Sequence, residues 1–376
     1  MELGLIHLPL FGYFAAIGGL VSLVAPQLSR SKQTRGSLLF LVLAALSLLS
    51  TWTYMALYFR HSFREAAGER GIEPAEFSTK QWLDDVSLFN EAWGYVCETT
   101  ERFWWSEQLM YWTTGPLAVL MSVEGRRRGI KYLWVYMLIG QIVAISFAQS
   151  LFFAALALSP HVRPRAPVGG RPLGPPPGQT WTLLASVVLG AVGTALVPAR
   201  VSSGYFLPLL LGIHLFAVLP LLDSLPQRSV RLPPSRFYFN YAFISLRLRY
   251  DTVSQLLDVP NLPKNWRDSP SILSTFFQKQ WKVLNEHPAQ SSISWDVIFS
   301  TISAIVFMLH DNVTQPESEL KVPYELVLLF TIVSPLVGIQ SSVGMYLAVR
   351  EGKRETFEQK QMWENEEEGS KEKKEQ

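Results

Sequence analysis

The chain has 376 residues, of which 48% are hydrophobic and only 17% are charged. Soluble domains carry about 25% charged residues, so the low charge is the unusual feature of the composition. A net charge of +2, from 33 basic and 31 acidic side chains, excludes the basic excess that nucleic-acid-binding proteins show. The single cysteine, Cys97, excludes an intrachain disulfide and a cysteine-based metal site.

Long charge-poor runs predict membrane-spanning helices, because a crossing needs roughly 20 mostly apolar residues. Eight such runs predict an all-α, polytopic membrane bundle, with seven or nine crossings as alternatives. The predicted spans are 5–25, 37–59, 103–123, 133–158, 181–198, 204–223, 292–310 and 324–349. They form one integral membrane domain, 1–349, and a charged tail follows at 350–376, where a solvated helix is expected to become disordered.

The basic residues leave the orientation open. Lys and Arg in short loops favour the cytoplasmic side. The loop with Arg30, Lys32 and Arg35 and the loop at 126–131 are therefore both expected to be cytoplasmic. With eight crossings, the basic residues of the tail fall on the opposite side, and seven or nine crossings would remove this conflict. The sequon at Asn312 would be glycosylated if it lay in the lumen.

The densest group of candidate functional residues is Phe103–Trp112 at the start of the third predicted span. Helical spacing places Trp104, Gln108 and Tyr111 on one stripe, with Glu107 beside it. An acid in an aromatic-lined apolar pocket favours its neutral form and can donate a proton, while aromatic faces stabilise a cation. The alternative is an interfacial aromatic belt in which Glu107 caps the helix or pairs with Arg102.

Two further positions are candidates. Tyr136 and Gln141 in the fourth predicted span would orient a substrate, or Gln141 would only hydrogen-bond a neighbouring helix. Asp296 is the second candidate acid, and its alternative role is to stabilise the positive end of its helix dipole.

Metal-dependent chemistry is not expected. Asp84 and Asp85 are followed by Val86, Ser87 and Leu88, so the pair lacks the DDxxD pattern of enzymes that ionise diphosphates with magnesium. No phosphate-binding or zinc-protease motif is present either. The sequence therefore predicts no metal and no cofactor.

Several segments resemble the fungal membrane-bound terpene cyclases of meroterpenoid biosynthesis, of the ascofuranone and ascochlorin cyclase type. The resemblance covers roughly 80–350. It is carried by Trp82–Asp85, Leu88–Trp93, Phe103–Gln108, Glu124–Arg127, Leu133–Phe152 and Ser294–Asp296.

The resemblance implies an enzyme of the endoplasmic reticulum that cyclises a farnesyl chain on an aromatic ring. Cyclisation would begin by protonation of a terminal epoxide or alkene, without metal, on a lipophilic prenylated phenol. An upstream epoxidising oxygenase would supply the epoxide. On the residue evidence, Glu107 is the general acid, with Asp296 as second candidate. The expected substrate contacts are Trp104, Trp105, Gln108, Tyr111, Tyr136 and Gln141.

Two other classes of function remain open. A non-enzymatic transporter or receptor would show internal repeats and discontinuous spans at corresponding positions, and the sequence shows no repeat of fixed period. A sterol-isomerase-like lipid enzyme would also need an acid and aromatic faces. A closed aromatic-lined interior with a buried acid would favour an enzyme, and a water-filled path reaching both surfaces would favour transport.

Overall fold

The computed structural model describes residues 8–29, 34–159, 161, 179–225, 228–230, 232–257 and 271–375. Within these ranges the chain is a helical bundle without strands, which confirms the predicted all-α class. The helices are α1 (Leu8–Ser29), α2 (Arg35–Glu69), α3 (Thr79–Asp85), α4 (Leu88–Cys97), α5 (Thr100–Trp112), α6 (Ala118–Leu120), α7 (Leu133–Ile142), α8 (Ile145–Leu158), α9 (Trp181–Leu196), α10 (Phe206–Val218), α11 (Pro234–Leu256), α12 (Ser271–Leu284), α13 (Pro288–Thr314), α14 (Tyr324–Val337) and α15 (Ile339–Glu375). Residues 5–7, 30–33 and most of the Pro- and Gly-rich loop at 159–179 lie outside the described ranges.

Four helical segments in the described chain are long and apolar enough to cross a membrane: Gly12–Ser29, Arg35–Glu69, Pro288–Thr314 and Ser318–Val337. Shorter apolar helices occupy the predicted spans at 181–198 and 204–223. The chain is thus a helical membrane protein by length and composition, and the number of crossings stays a prediction.

Two ion pairs define the ends of the bundle. Arg102 donates to Glu286 at 3.0 Å, which joins the start of α5 to the residues before α13. Arg128 donates to Asp311 at 3.3 Å, which joins the segment after α6 to the end of α13. The α5–α6 segment and α13 therefore run in parallel from what we call the Arg102 end to the Arg128 end.

The predicted span 133–158 is wrong as a single helix, because α7 and α8 form an antiparallel pair, the first hairpin. The helix stops at Val143, and the extended backbone of Ala144 (φ −169°, ψ 139°) reverses the chain. The rings of Tyr136 and Phe152 pack at 5.8 Å across the pair. Arg128 donates to the carbonyl of Leu156 at 3.2 Å, so α8 returns to the Arg128 end from which α7 starts.

The predicted span 324–349 is also two helices, α14 and α15, which form the second hairpin. Its turn is at Gly338, whose φ of +81° is a conformation that favours glycine. The hydroxyls of Ser334 and Ser342 meet at 2.7 Å beside the turn. At the other end Lys353 donates to the carbonyl of Glu319 at 3.5 Å, so both arms point to the Arg128 end.

These two hairpins complete a structural repeat. In the first copy, the long helix from Thr100 to Gly125 precedes the first hairpin; in the second copy, α13 precedes the second hairpin. Because the long helices are parallel and both hairpins enter from the Arg128 end, the copies share one direction. This repeat has no fixed sequence period, so sequence analysis missed it.

The helix through α5 and α6 is bent where it packs against α11. Two π-helical turns, Thr113–Leu117 and Met121–Gly125, flank α6, and Gly115 within the first has non-helical dihedral angles (φ −111°, ψ −108°). A Cβ atom at Gly115 would overlap the ring of Tyr241. Glycine therefore allows α11 to approach closely, and the Tyr241 hydroxyl donates to the carbonyl of Tyr111 at 2.7 Å.

The segment expected to be a solvated and then disordered tail is part of α15, which continues to Glu375. Its first residues are not solvated, because Arg350 and Glu351 are buried. A second stretch, Phe237–Tyr250, alternates aromatic, apolar and basic residues, a pattern that predicts a segment along the membrane interface. This stretch lies in α11, which buries one face against α15 and exposes Phe243 and Tyr250 on the other.

Candidate functional site

Glu107, the predicted acid, is buried and paired with Arg249 of α11. Arg249 Nη1 donates to Glu107 Oε1 at 2.5 Å, and the Thr252 hydroxyl donates to Oε2 at 2.8 Å. Both members of the pair are about 1% exposed. The alternative pairing with Arg102 is wrong, because Arg102 pairs with Glu98 and Glu286 at the surface.

Aromatic side chains pack around this pair. The Arg249 guanidinium lies 4.2 Å from the ring centre of Trp104. The Trp105 ring meets Trp104 edge-on at 4.8 Å, and Phe276 of α12 does so at 5.4 Å. The indole face expected to stabilise a cation thus already contacts a cation of the protein itself.

Two opposing effects act on the Glu107 carboxyl. Burial favours the neutral acid, whereas the guanidinium and the hydroxyl both donate to the carboxylate and favour its ionised form. A carboxyl held in this way yields a well-stabilised conjugate base when it gives up a proton. The site therefore combines a buried acid with a fixed counter-charge, which the sequence did not predict.

The other predicted substrate contacts are dispersed. Gln108 donates to the carbonyl of Trp104 at 3.0 Å within its own helix, and Tyr111 lies one turn further along. Tyr136 is buried in the first hairpin, far along the chain from Arg249, and its hydroxyl has no hydrogen-bond partner in the part of the chain that the structure describes. Gln141 is half-buried and donates to the sulfur of Met137 at 3.6 Å within its own helix. Among the described residues it makes no interhelical hydrogen bond.

Asp296, the second candidate acid, holds the turn of the first hairpin. Its carboxylate accepts from the backbone N–H groups of Ile145 at 3.0 Å and Ser146 at 2.7 Å. These groups begin α8 and have no partner within that helix. Asp296 therefore caps α8. The alternative role expected for it is at the start of its own helix, α13.

Asp296→Ala is expected to lower the free energy of unfolding by about 2–4 kcal/mol, because two buried N–H groups lose their acceptor. The measurement is unfolding of the purified protein in mixed micelles, followed by circular dichroism. Asp251→Ala, which removes an exposed carboxylate of α11, is the matched control and should change little. Equal stability of the two variants would contradict the capping role.

A second buried cluster lies at the Arg128 end and was not predicted from the sequence, which marked 126–131 only as a cytoplasmic boundary. It is a network of three arginines and three carboxylates that joins the α6 segment, α13 and α15. Its members are Glu124, Arg127, Arg128, Asp311, Arg350 and Glu351, and all six side chains are at most 9% exposed.

The geometry of this network ties both hairpins to the long helices. Arg128 Nε donates to Glu124 at 2.6 Å, and Arg350 donates to Asp311 at 3.2 Å and Glu351 at 2.7 Å. Tyr346 adds a bond of 2.8 Å to Asp311. Because three positive charges meet three negative ones, the network is neutral and closed.

His161 lies at the edge of the same network. Its Nδ1 is 3.0 Å from Arg128 Nη2, a donor-only group, so this nitrogen accepts. Partial burial, reinforced by the charge of Arg128, lowers the pKa of His161 to about 4. The imidazole is therefore neutral at physiological pH.

Asn312, the sequon residue, is 1% exposed. Its amide donates to the carbonyl of Val322 at 3.0 Å and accepts from the Val322 N–H at 2.7 Å. A glycan on this amide would require both bonds to break, so the structure assigns the side chain to the connection between α13 and α14.

Arg249 is the residue that sequence analysis missed. The signal was present, because Tyr241, Ser245, Arg249 and Thr252 recur every three or four residues and share a helix face. These four belong to the buried face of α11. The alternation of aromatic and basic residues in the same stretch predicts an interfacial segment instead.

Residues 95–157 and 270–352 match a family model described as "Protein of unknown function DUF2834". Each matched stretch contains one copy of the structural repeat, and together they contain Glu107, Asp296 and the whole ionic network. Arg249 lies between the two stretches. Comparisons with curated proteins and with solved structures give no match.

Proposed function

We propose that the chain is a multi-pass membrane enzyme of the endoplasmic reticulum that cyclises the prenyl chain of a lipophilic farnesylated phenol without a metal. The observation that carries this proposal is the buried Glu107 carboxyl on an aromatic wall, paired with Arg249. Every side chain from Phe103 to Trp112 is buried, so the acid lies in a closed interior. An acid-initiated cyclisation needs this exclusion of water.

In the proposed reaction, protonated Glu107 transfers its proton to the terminal epoxide oxygen, whose carbon–oxygen bond opens as an alkene of the chain attacks. The carboxylate that remains is stabilised by Arg249 and Thr252, which lowers the cost of the transfer. In this proposal the rings of Trp105 and Tyr111, on the same helix as Glu107, stabilise the cation until it loses a proton or gains a nucleophile. An epoxidising oxygenase would act upstream.

We further propose seven complete crossings: α1, α2, the α5–α6 segment, α9, α10, α11 and α13. Both hairpins then enter from the Arg128 end and return to it. This count is at the lower limit of the range expected from the sequence. It places the basic run 126–131 and the tail on one side, which agrees with a cytoplasmic Arg128 end.

The test of the enzyme uses microsomes that contain the full chain and an epoxyfarnesyl phenol. Wild-type microsomes should form a cyclised isomer, and Glu107→Gln should lower turnover by about 10²–10⁴-fold, the usual contribution of a general acid. Glu101→Gln, on the same helix but paired with Lys279 at the surface, should retain turnover. Near-normal cyclisation by Glu107→Gln would exclude this acid from the mechanism.

A transporter is the second candidate, and the repeated hairpins favour it. Transporters often carry broken helices at corresponding positions of a structural repeat, as α7–α8 and α14–α15 are here. Unchanged phenol in wild-type microsomes, together with its uptake by proteoliposomes of the purified protein, would favour transport over cyclisation.

A further inference from the structure

Polar atoms without partners collect around the turn of the second hairpin. Among the described residues, Arg249 Nη2 and Trp104 Nε1 have no hydrogen-bond partner, and neither has either amide atom of Gln340. The three side chains are at most 2% exposed. Buried polar groups in folded proteins are almost always bonded, so each of these atoms calls for an explanation.

The three side chains belong to one place. The Arg249 guanidinium lies on Trp104, and its Nε donates at 3.4 Å to the carbonyl of Leu336, two residues before the hairpin turn. The Gln340 amide packs against Gly338 at that turn. Arg249 thus contacts both the Trp104 ring and the hairpin turn beside which the Gln340 amide lies.

The donor character of these groups favours a ligand with a hydrogen-bond acceptor. An arginine N–H and an indole N–H can only donate, and the amide of Gln340 can add a third donor. The remaining nitrogens of Arg249 are already used, because Nη1 donates to Glu107 and to the Trp104 carbonyl. The ligand atom that matches these three donors is therefore an oxygen that accepts two or three hydrogen bonds, and Gln340 Oε1 remains as an acceptor beside it.

The charges of Glu107 and Arg249 favour a neutral ligand oxygen over an anionic one. While Glu107 is ionised and accepts from Arg249 and Thr252, it balances Arg249 one to one, and a ligand anion that binds in this state would leave a net negative charge in a buried site, which is costly. A ketone, aldehyde or ester carbonyl adds no charge. The aromatic walls formed by Trp105 and Phe276 suit an apolar remainder of the molecule.

We propose that Arg249, Trp104 and Gln340 form a subsite for the neutral carbonyl oxygen of a lipophilic ligand. This subsite adds a ligand-binding role to the proposed function. It rests on that function only for the assumption that the ligand is prenylated. It fixes one end of the molecule next to Glu107.

The test measures binding rather than turnover, so its failure is distinct from failure of the cyclase proposal. The probe is farnesylacetone, a neutral prenyl ketone, added to the purified full chain in nanodiscs and followed by equilibrium dialysis. The oxygen-free hydrocarbon farnesane and the anion farnesoate are the comparison probes. We expect the ketone to bind tighter than both.

Trp104→Phe keeps the ring but removes the donor, and Gln340→Leu removes the amide. Each should weaken farnesylacetone binding about 3- to 10-fold, the effect of one neutral hydrogen bond. Trp295→Phe, which removes an equally unpartnered indole N–H from α13, is the matched control and should leave binding unchanged. Equal weakening by all three variants would overturn the proposal.

A second readout uses only the wild-type chain. Infrared difference spectra of ¹³C-carbonyl farnesylacetone should show the carbonyl band moved to lower wavenumber when bound, because the oxygen accepts from a cation. A band at its detergent position, or tighter binding of farnesoate than of the ketone, would overturn the assignment of a neutral-oxygen subsite.

Discussion

Arg249→Met is expected to lower the free energy of unfolding by about 3–5 kcal/mol, because Glu107 is left as a buried carboxyl without its counter-charge. Chemical unfolding in mixed micelles measures the change. Arg247→Met is the matched control, since this arginine lies two residues earlier on the same helix and pairs with Asp251 at the surface. The control should unfold like the wild type.

The double variant Glu107→Leu/Arg249→Met separates charge from packing. Removing both charges leaves no uncompensated group, so most of the lost stability should return. A double variant as unstable as the sum of the single variants would show that the two side chains do not act as a pair.

Asp311→Ala is expected to cost about 3–5 kcal/mol, because Arg128 and Arg350 both lose a buried carboxylate. Hydrogen exchange should increase in α15 near Tyr346, which also loses its partner. The matched control is Asp223→Ala, whose carboxylate is 79% exposed in its pair with Arg126. Unchanged stability in Asp311→Ala would mean that the network does not hold the second hairpin.

Hydropathy predicted the apolar helices well but not where they turn. The arms of the first hairpin are both apolar, and the turn at Val143 and Ala144 carries no residue that marks a break. A 20-residue window therefore joins them into one span. The second turn had a visible signal in Pro335 and Gly338, but both residues are tolerated within membrane helices.

The acid was predictable and its partner was not. Glu107 is identified by the rule that an ionisable residue inside an apolar run is functional by default. Arg249 lies 142 residues further along the chain, and single-sequence periodicity gives the face of a helix but not the neighbour of that face. The ionic network was missed for the same reason, because charge counting assigns charged residues at helix ends to water.

The contact between Asp296 and the first hairpin also bears on the order in which the chain is made. Ile145 and Ser146 leave the ribosome 150 residues or so before the carboxylate that caps them. In lipid, uncapped N–H groups cost several kcal/mol each, and these two gain their carboxylate acceptor only after α13 has been synthesised. The second hairpin emerges when Glu107, Arg249 and Asp311 are already present. The two halves of the repeat share an architecture but differ in the order of synthesis. The first hairpin is made before the carboxylate that caps it, and the second hairpin is made after these three residues.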